Sequence, residues 1–229
     1  MADSWLREDL FAEKFLFHLD GKLYFDPECR QSWELKSNSS LRKRIQHYVK
    51  WTTKRQMGIF FDLFLFPEQG SPQVLVRRAY LEPVEENRHR ITFFAASNLG
   101  ESIFGKSLSL LDNVQDAVLV AEAEPLDEPG PRVLYANRAF ETETGFKQSD
   151  IVGKTPRILQ GPESSIEAKQ KIREGLKRWQ VVKQEVTNYT KTGQAFTVEL
   201  NISPVADASG WWTHWVSFQR NVTKKVVFE

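Results

Sequence analysis

At 229 residues the chain has room for one large or two small domains, and its hydrophobic (41%) and charged (27%) shares are those of an ordinary globular protein. Lys plus Arg (31) nearly equals Asp plus Glu (30), and the net charge of +1 gives no case for a nucleic-acid or membrane surface. The lone cysteine, Cys29, excludes an intrachain disulfide and a multi-cysteine metal site. No apolar run approaches the roughly 20 residues of a membrane helix. The start, MADSWLREDL, lacks the apolar core of a secretory signal. Together these features lead us to expect a soluble cytoplasmic protein.

Residues 1–12 read as a short opening helix. Asp20-Gly21 is a hairpin turn signal between two alternating apolar runs. Over residues 40–56, Leu41, Ile45, Tyr48 and Val49 share one face and the bases take the other, which is an amphipathic helix. Strand-like runs follow at 59–66, 73–81 and 90–96, broken by Pro67, Gly70 and Pro72 and then by Glu85-Glu86-Asn87. Residues 98–112 carry Leu99, Ile103 and Leu110 at near-heptad spacing, with Phe104, Leu108 and Leu111 widening the stripe. This predicts a connecting helix, weakened by Gly100 and Gly105.

The second half repeats the plan. Residues 117–123 and 132–137 are strands around a Pro- and Gly-rich loop at 124–131. Ser164 and Glu167 have the spacing of a capping box, and Ala168, Ile172 and Leu176 lie four apart on the helix that follows. Strands at 182–190, 195–203 and 212–222 close the chain, with turns at Lys191 to Gly193 and Asp207 to Gly210. Strands flanking a helical block in both halves predict an α+β architecture: tandem domains, each a five-stranded antiparallel sheet with helices on one side, joined by a helix. The divisions fall at 1–97, 98–112 and 113–229.

Four blocks carry a resemblance: YANRAFETETGF (135–146), GKTPRILQGP (153–162), TNYTKTGQAF (187–196) and HWVSFQRNVT (214–223). In this order they resemble the PAS superfamily over roughly residues 113–224, and GKTPRILQGP resembles the motif of its light-oxygen-voltage (LOV) flavin-binding branch. Residues 10–97 have the strand order of a degenerate second PAS domain with none of these blocks. The resemblance implies FMN as cofactor. It places Gln160 and Gln219 against the flavin, Asn188 at the pyrimidine edge, and Asn137 in the second-strand signature. Leu200 and Trp215 join this set on the last strands. Arg157 and Arg173 match the arginines that clamp the FMN phosphate, a task suited to the bidentate guanidinium fork. Departures are also plain. The reactive cysteine falls at Pro156, the preceding Asn at Thr155, and the second ring-reading Asn at Val198. A photocycle through a cysteinyl adduct is therefore excluded.

Strand periodicity places Gln219, Ser217, Trp215 and Thr213 on one face, and Trp212, His214, Val216 and Phe218 on the other. An apolar outer sheet face needs a cover, so a homodimer through this face or through the connecting helix is expected. Residues 100–107 match the P-loop pattern, but Ile103 and Phe104 are too bulky for its interior and no acidic strand accompanies it. The four histidines have no metal-ligand spacing, and no catalytic constellation stands out. Two functions follow. One is an FMN sensor of light or redox state, without an adduct, in which Trp215 or Tyr189 supplies an electron and Gln219 switches its hydrogen bond. The other is a cofactor-free or small-ligand PAS pair used for dimerisation. Either would sit upstream of an output domain, such as a histidine kinase or cyclic-dinucleotide enzyme, with any catalysis outside this chain.

Overall fold

The computed structural model describes residues 13–18, 22–25, 32–34, 40–65, 75–85, 88–93, 97–98, 103–127 and 130–223. The opening helix expected over 1–12, the Asp20-Gly21 turn and Cys29 lie outside these residues. The chain divides into two compact units, one built chiefly from residues before 103 and one chiefly from residue 103 onward.

In the first unit, β1 (Glu13–His18), β2 (Lys22–Phe25) and β3 (Ser32–Glu34) precede α1 (Ser40–Arg55). Then come β4 (Ile59–Leu65), β5 (Leu75–Glu85), β6 (Arg88–Phe93) and β7 (Ser97–Asn98). The helix forms where the apolar spacing predicts it. Ile45, Tyr48 and Val49 are buried against Ile59, Phe61 and Leu63 of β4, Ala79 and Leu81 of β5, and Ile91 of β6. In β4 the alternation is clean, because Phe60 between Ile59 and Phe61 is half exposed. The sheet has seven strands in the order β3-β2-β1-β6-β5-β4, with β7 paired to the start of β5. The five strands expected for this half are thus a core of a larger sheet. β3 is too short and polar to announce itself and forms by pairing with β2.

The connecting helix is also corrected. Asn98 is in β7, and among the described residues the helical part is α2 (Ile103–Leu108) followed by a 3-10 turn at Ser109–Asn113. Ser109 Oγ donates to the Lys106 carbonyl (2.7 Å), a local bond that competes with continued α-helix.

The second unit contains β8 (Ala117–Glu122), β9 (Val133–Ala136), α3 (Arg138–Thr144) and α4 (Gln148–Ile151). A 3-10 turn at Pro156–Leu159 leads to α5 (Ile166–Lys177), then β10 (Val182–Tyr189), β11 (Ala195–Ala206) and β12 (Trp212–Asn221). All strands pair antiparallel in the order β10-β11-β12-β8-β9. With β3 set aside, the first unit's order β2-β1-β6-β5-β4 is the same topology. The fold class read from the sequence, α+β with antiparallel sheets and helices, is the one observed.

Asn137 fixes the start of α3. Its side-chain oxygen accepts from Phe140 N and Val118 N (2.9 Å each), and its amide donates to the Leu111 and Asp116 carbonyls (3.0 Å each). The capping of α5 shifts by one residue from the expected box. Ser165 is the N-cap and accepts from Ala168 N, while Ser164 Oγ donates to the Thr187 carbonyl (2.7 Å). Glu167 instead pairs with Lys171 one turn on.

Part of the outer sheet face has its own cover. Leu108 and Leu111 pack on Val120, Tyr135 and Val216, and Tyr135 Oη donates to Asp112 (2.7 Å). The apolar stripe that suggested a dimer face is therefore partly occupied by the chain itself.

Candidate functional site

Between the inner face of the second sheet, the 156–159 turn and α5 lies a cavity of about 290 Å³. That is the lower end of the range for small-molecule sites. The sheet contributes Leu119 and Ala121 from β8, Leu200 and Ile202 from β11, and Trp215, Ser217 and Gln219 from β12. These align because Leu200 opposes Gln219, Ile202 opposes Ser217, and Ser217 opposes Leu119 in the ladders. The helical side supplies Leu159 and then Lys169, Ile172, Arg173 and Leu176 from α5, at helical spacing on one face.

Of the sequence-predicted site residues, Thr155, Pro156, Arg157, Gln160, Arg173, Asn188, Leu200, Trp215 and Gln219 all line this cavity. Two do not. Asn137 is the fully buried cap described above, spent on backbone groups. Val198 is fully buried on the face of Leu200 but stands outside the lining.

Polar groups are few and converge. Asn188 on β10 and Gln219 on β12 reach across β11, and Asn188 Nδ2 donates to Gln219 Oε1 at 3.5 Å. That length is at the weak limit of a hydrogen bond, so both amides retain capacity for a ligand. Ser217 Oγ is buried without a hydrogen-bond partner. An orphaned hydroxyl in a cavity wall costs stability unless a ligand or water satisfies it. Val198, on the intervening strand, offers no polar group.

The cavity's other end is basic. Arg157 donates to the Leu126 carbonyl (3.4 Å), Arg173 pairs with Asp127, and Lys169 lies one turn before Arg173. An anionic ligand group arriving here competes with Asp127 for the Arg173 fork. Pro156 occupies the first position of its 3-10 turn, where a missing N–H costs nothing, and Thr155 before it is extended, as a residue preceding proline must be. Apolar walls, converging amides and a cationic end fit a flat heteroaromatic ligand bearing a phosphate.

The tryptophans depart from the expected alternation. Val205 opposes His214 but Ala206 opposes Trp212, so Thr213 is an extra residue in a β-bulge. The bulge returns Trp212 to the face of Trp215. Both stack on Trp179, with centroid distances of 5.8 and 5.1 Å and interplanar angles of 12° and 6°. Trp215 Nε1 donates to the Ala123 carbonyl (3.0 Å).

Sequence reasoning missed Trp179, Ser217 and Lys169. Trp179 left one signal. Gln180 N bonds the Gly175 carbonyl and Trp179 N the Leu176 carbonyl, a helix-ending motif whose left-handed residue is normally glycine. Trp179 takes that conformation (φ 55°) at a cost of about 1 kcal/mol or more.

Among the described residues, no group of three or more His, Cys, Asp or Glu side chains is placed to hold a metal, and no helix is long and apolar enough to cross a membrane.

A PAS-domain family model matches residues 116–224. The chain is 34% identical over 126 residues to the blue-light-activated histidine kinase of Brucella anthropi, covering 53% of this chain and 26% of that protein. It is 31% identical over 114 residues to phototropin-2 of Oryza sativa subsp. japonica, covering 50% of this chain and 12% of that protein. The LOV domain of the blue-light activated histidine kinase of Erythrobacter litoralis superposes with a TM-score of 0.45 at 24% identity, over 49% of this chain and 100% of that one. The chain therefore spans about a quarter or less of the length of these two curated relatives. The matched segment contains β8 through β12 and every cavity residue named above, and residues 116–224 are a PAS domain.

Proposed function

We propose that the second unit is a sensor that binds FMN without a covalent bond and responds to blue light or redox state through Gln219. The observation that carries this reading is the Asn188–Gln219 amide pair across the floor of a cavity whose other end presents Arg157 and Arg173. Bound FMN would supply light absorption and one-electron chemistry. The residues do the rest. Leu119, Leu159, Ile172 and Leu200 exclude water from the ring, and the two guanidinium groups hold the phosphate. Asn188 reads the polar edge. Pro156 leaves the wall without a thiol, so the response runs through hydrogen bonding alone.

The Gln219 amide has a donor end and an acceptor end. By rotating, Gln219 follows a ligand nitrogen that gains a proton on reduction. Asn188 donates to the same amide oxygen, so rotation brings donor against donor unless Asn188 turns too. The switch thereby couples β12 to β10. It becomes an output only where a packed element has two arrangements. Homology to sensor kinases and the strand order shared by the two units support a tandem PAS-like regulatory module, working as a homodimer upstream of a kinase or cyclic-dinucleotide output domain.

Val198 favours a second reading, because it stands where the resemblance implies a ring-reading Asn and offers no polar group. In that reading the cavity takes a small apolar ligand or none, and the unit serves dimerisation. Colour separates the two. FMN-bound protein is yellow and bleaches under blue light, whereas a colourless protein that stays so after refolding with FMN selects the second reading.

A further inference from the structure

Trp215, Trp179 and Trp212 form a continuous, nearly parallel stack, and only its inner member lines the cavity. Packing alone is a poor account of it. The stack draws on two devices that each depart from the local rule, a bulge that turns Trp212 inward and a left-handed backbone at Trp179. Trp179 and Trp212 are partly exposed, whereas Trp215 is 3% exposed and gives its indole N–H to a backbone carbonyl. A carbonyl oxygen is no base at neutral pH. An oxidised Trp215 cannot shed its proton there, so a positive hole on it either recombines with the reduced ring or moves along the stack.

We infer that the three tryptophans are an electron relay from solvent to the cavity, which rests on the FMN reading above. On illumination one electron passes from Trp215 to the flavin ring, which takes a proton from water. Trp179 then refills Trp215, and Trp212 refills Trp179. The hole ends on Trp212, at the surface. A low-molecular-weight thiol in solution returns one electron to Trp212 and releases its S–H proton, and two such thiyl radicals couple to a disulfide. Each electron delivered to the ring is thus matched by one thiol oxidised. The relay makes the response depend on the thiol supply outside, so the sensor reports light gated by reducing conditions.

The test uses the full chain loaded with FMN, and compares wild type with Trp179→Phe and Trp212→Phe. Phenylalanine keeps the packing but is far harder to oxidise. Bound flavin is first quantified by absorption. Transient absorption then follows the tryptophan radical after a blue flash, and steady illumination with added thiol gives the photoreduction rate. We expect a long-lived tryptophan radical in wild type only, and a loss of about tenfold in rate in each variant at equal flavin content. Unchanged radical lifetime and rate in both variants overturn the relay while leaving the flavin reading intact. Wild-type protein that binds no flavin overturns both, and does so before any variant is compared. Two variants guard against local misfolding at the strained Trp179, since Trp212 does not share its left-handed backbone.

Discussion

Asn188 and Gln219, 31 residues apart, meet over β11 at 3.5 Å with both side chains nearly buried. The bond is weak in geometry yet isolated from water, where a change in partner matters most. Replacing Gln219 by Leu preserves volume and removes both amide ends. Gln219→Leu is expected to keep bound FMN and to lose the light-driven structural change, measured as the difference infrared spectrum between dark and lit protein. A normal difference spectrum would mean that the signal leaves the cavity by another route.

Asn137 makes the contrasting case. It holds five backbone groups, of Leu111, Val114, Asp116, Val118 and Phe140, and does not line the cavity. Asn137→Ala should cost about 2–4 kcal/mol of stability, through a lost cap and unsatisfied buried backbone groups. The folded fraction should carry FMN with unaltered affinity. Urea unfolding beside flavin titration separates the two effects.

Arg157 and Arg173 are expected to recognise phosphate rather than ring. Arg157→Ala and Arg173→Ala should each weaken FMN binding by about 0.5–1.5 kcal/mol, a modest figure because Arg173 is exposed and salt-screened. Riboflavin, which lacks the phosphate, should bind wild type and variants alike. Equal losses for the two ligands would place the phosphate elsewhere.

The loop beside Gln160 is tightly fitted. A methyl group on Gly161 would overlap the Tyr189 ring, and Tyr189 Oη accepts from Glu163 N (2.9 Å). Gly161→Ala must push the ring aside and break that bond. A destabilisation of about 1–3 kcal/mol is expected, read from the unfolding midpoint.

His89, buried in the first unit beside Thr53, has its imidazole held below the ordinary value of 6.5 by burial. The unfolded chain therefore binds a proton on His89 that the folded chain refuses. Stability should fall as pH drops through about 6.5 and continue falling to the lower folded value. His89→Gln should flatten this part of the stability-against-pH curve relative to wild type.

Much of the fold was legible because local pattern and tertiary packing agree. The stripe of Ile45, Tyr48 and Val49 named the buried face of α1, and the strand-like run at 59–66 marked β4. What failed depended on contacts that spacing does not encode. One inserted residue near Thr213 reversed the face of Trp212. Local serine bonding around Ser109 and Ser164 ended one helix pattern early and moved the cap of another. At the site, the motif resemblance found the cavity residues that lie in signature blocks. It also brought in Asn137, whose position beside a strand end marks a cap rather than a ligand contact. Ser217 was passed over because a serine on a strand is chemically ordinary until burial leaves its hydroxyl alone.

The most direct test of the account is a visible absorption spectrum of freshly purified protein, recorded in the dark and again under blue light. We expect a structured blue band from bound flavin that bleaches with one-electron reduction and shows no thiol adduct, since Pro156 replaces the reactive residue. A featureless spectrum that persists after refolding with FMN would contradict the account and leave a PAS fold serving protein interaction.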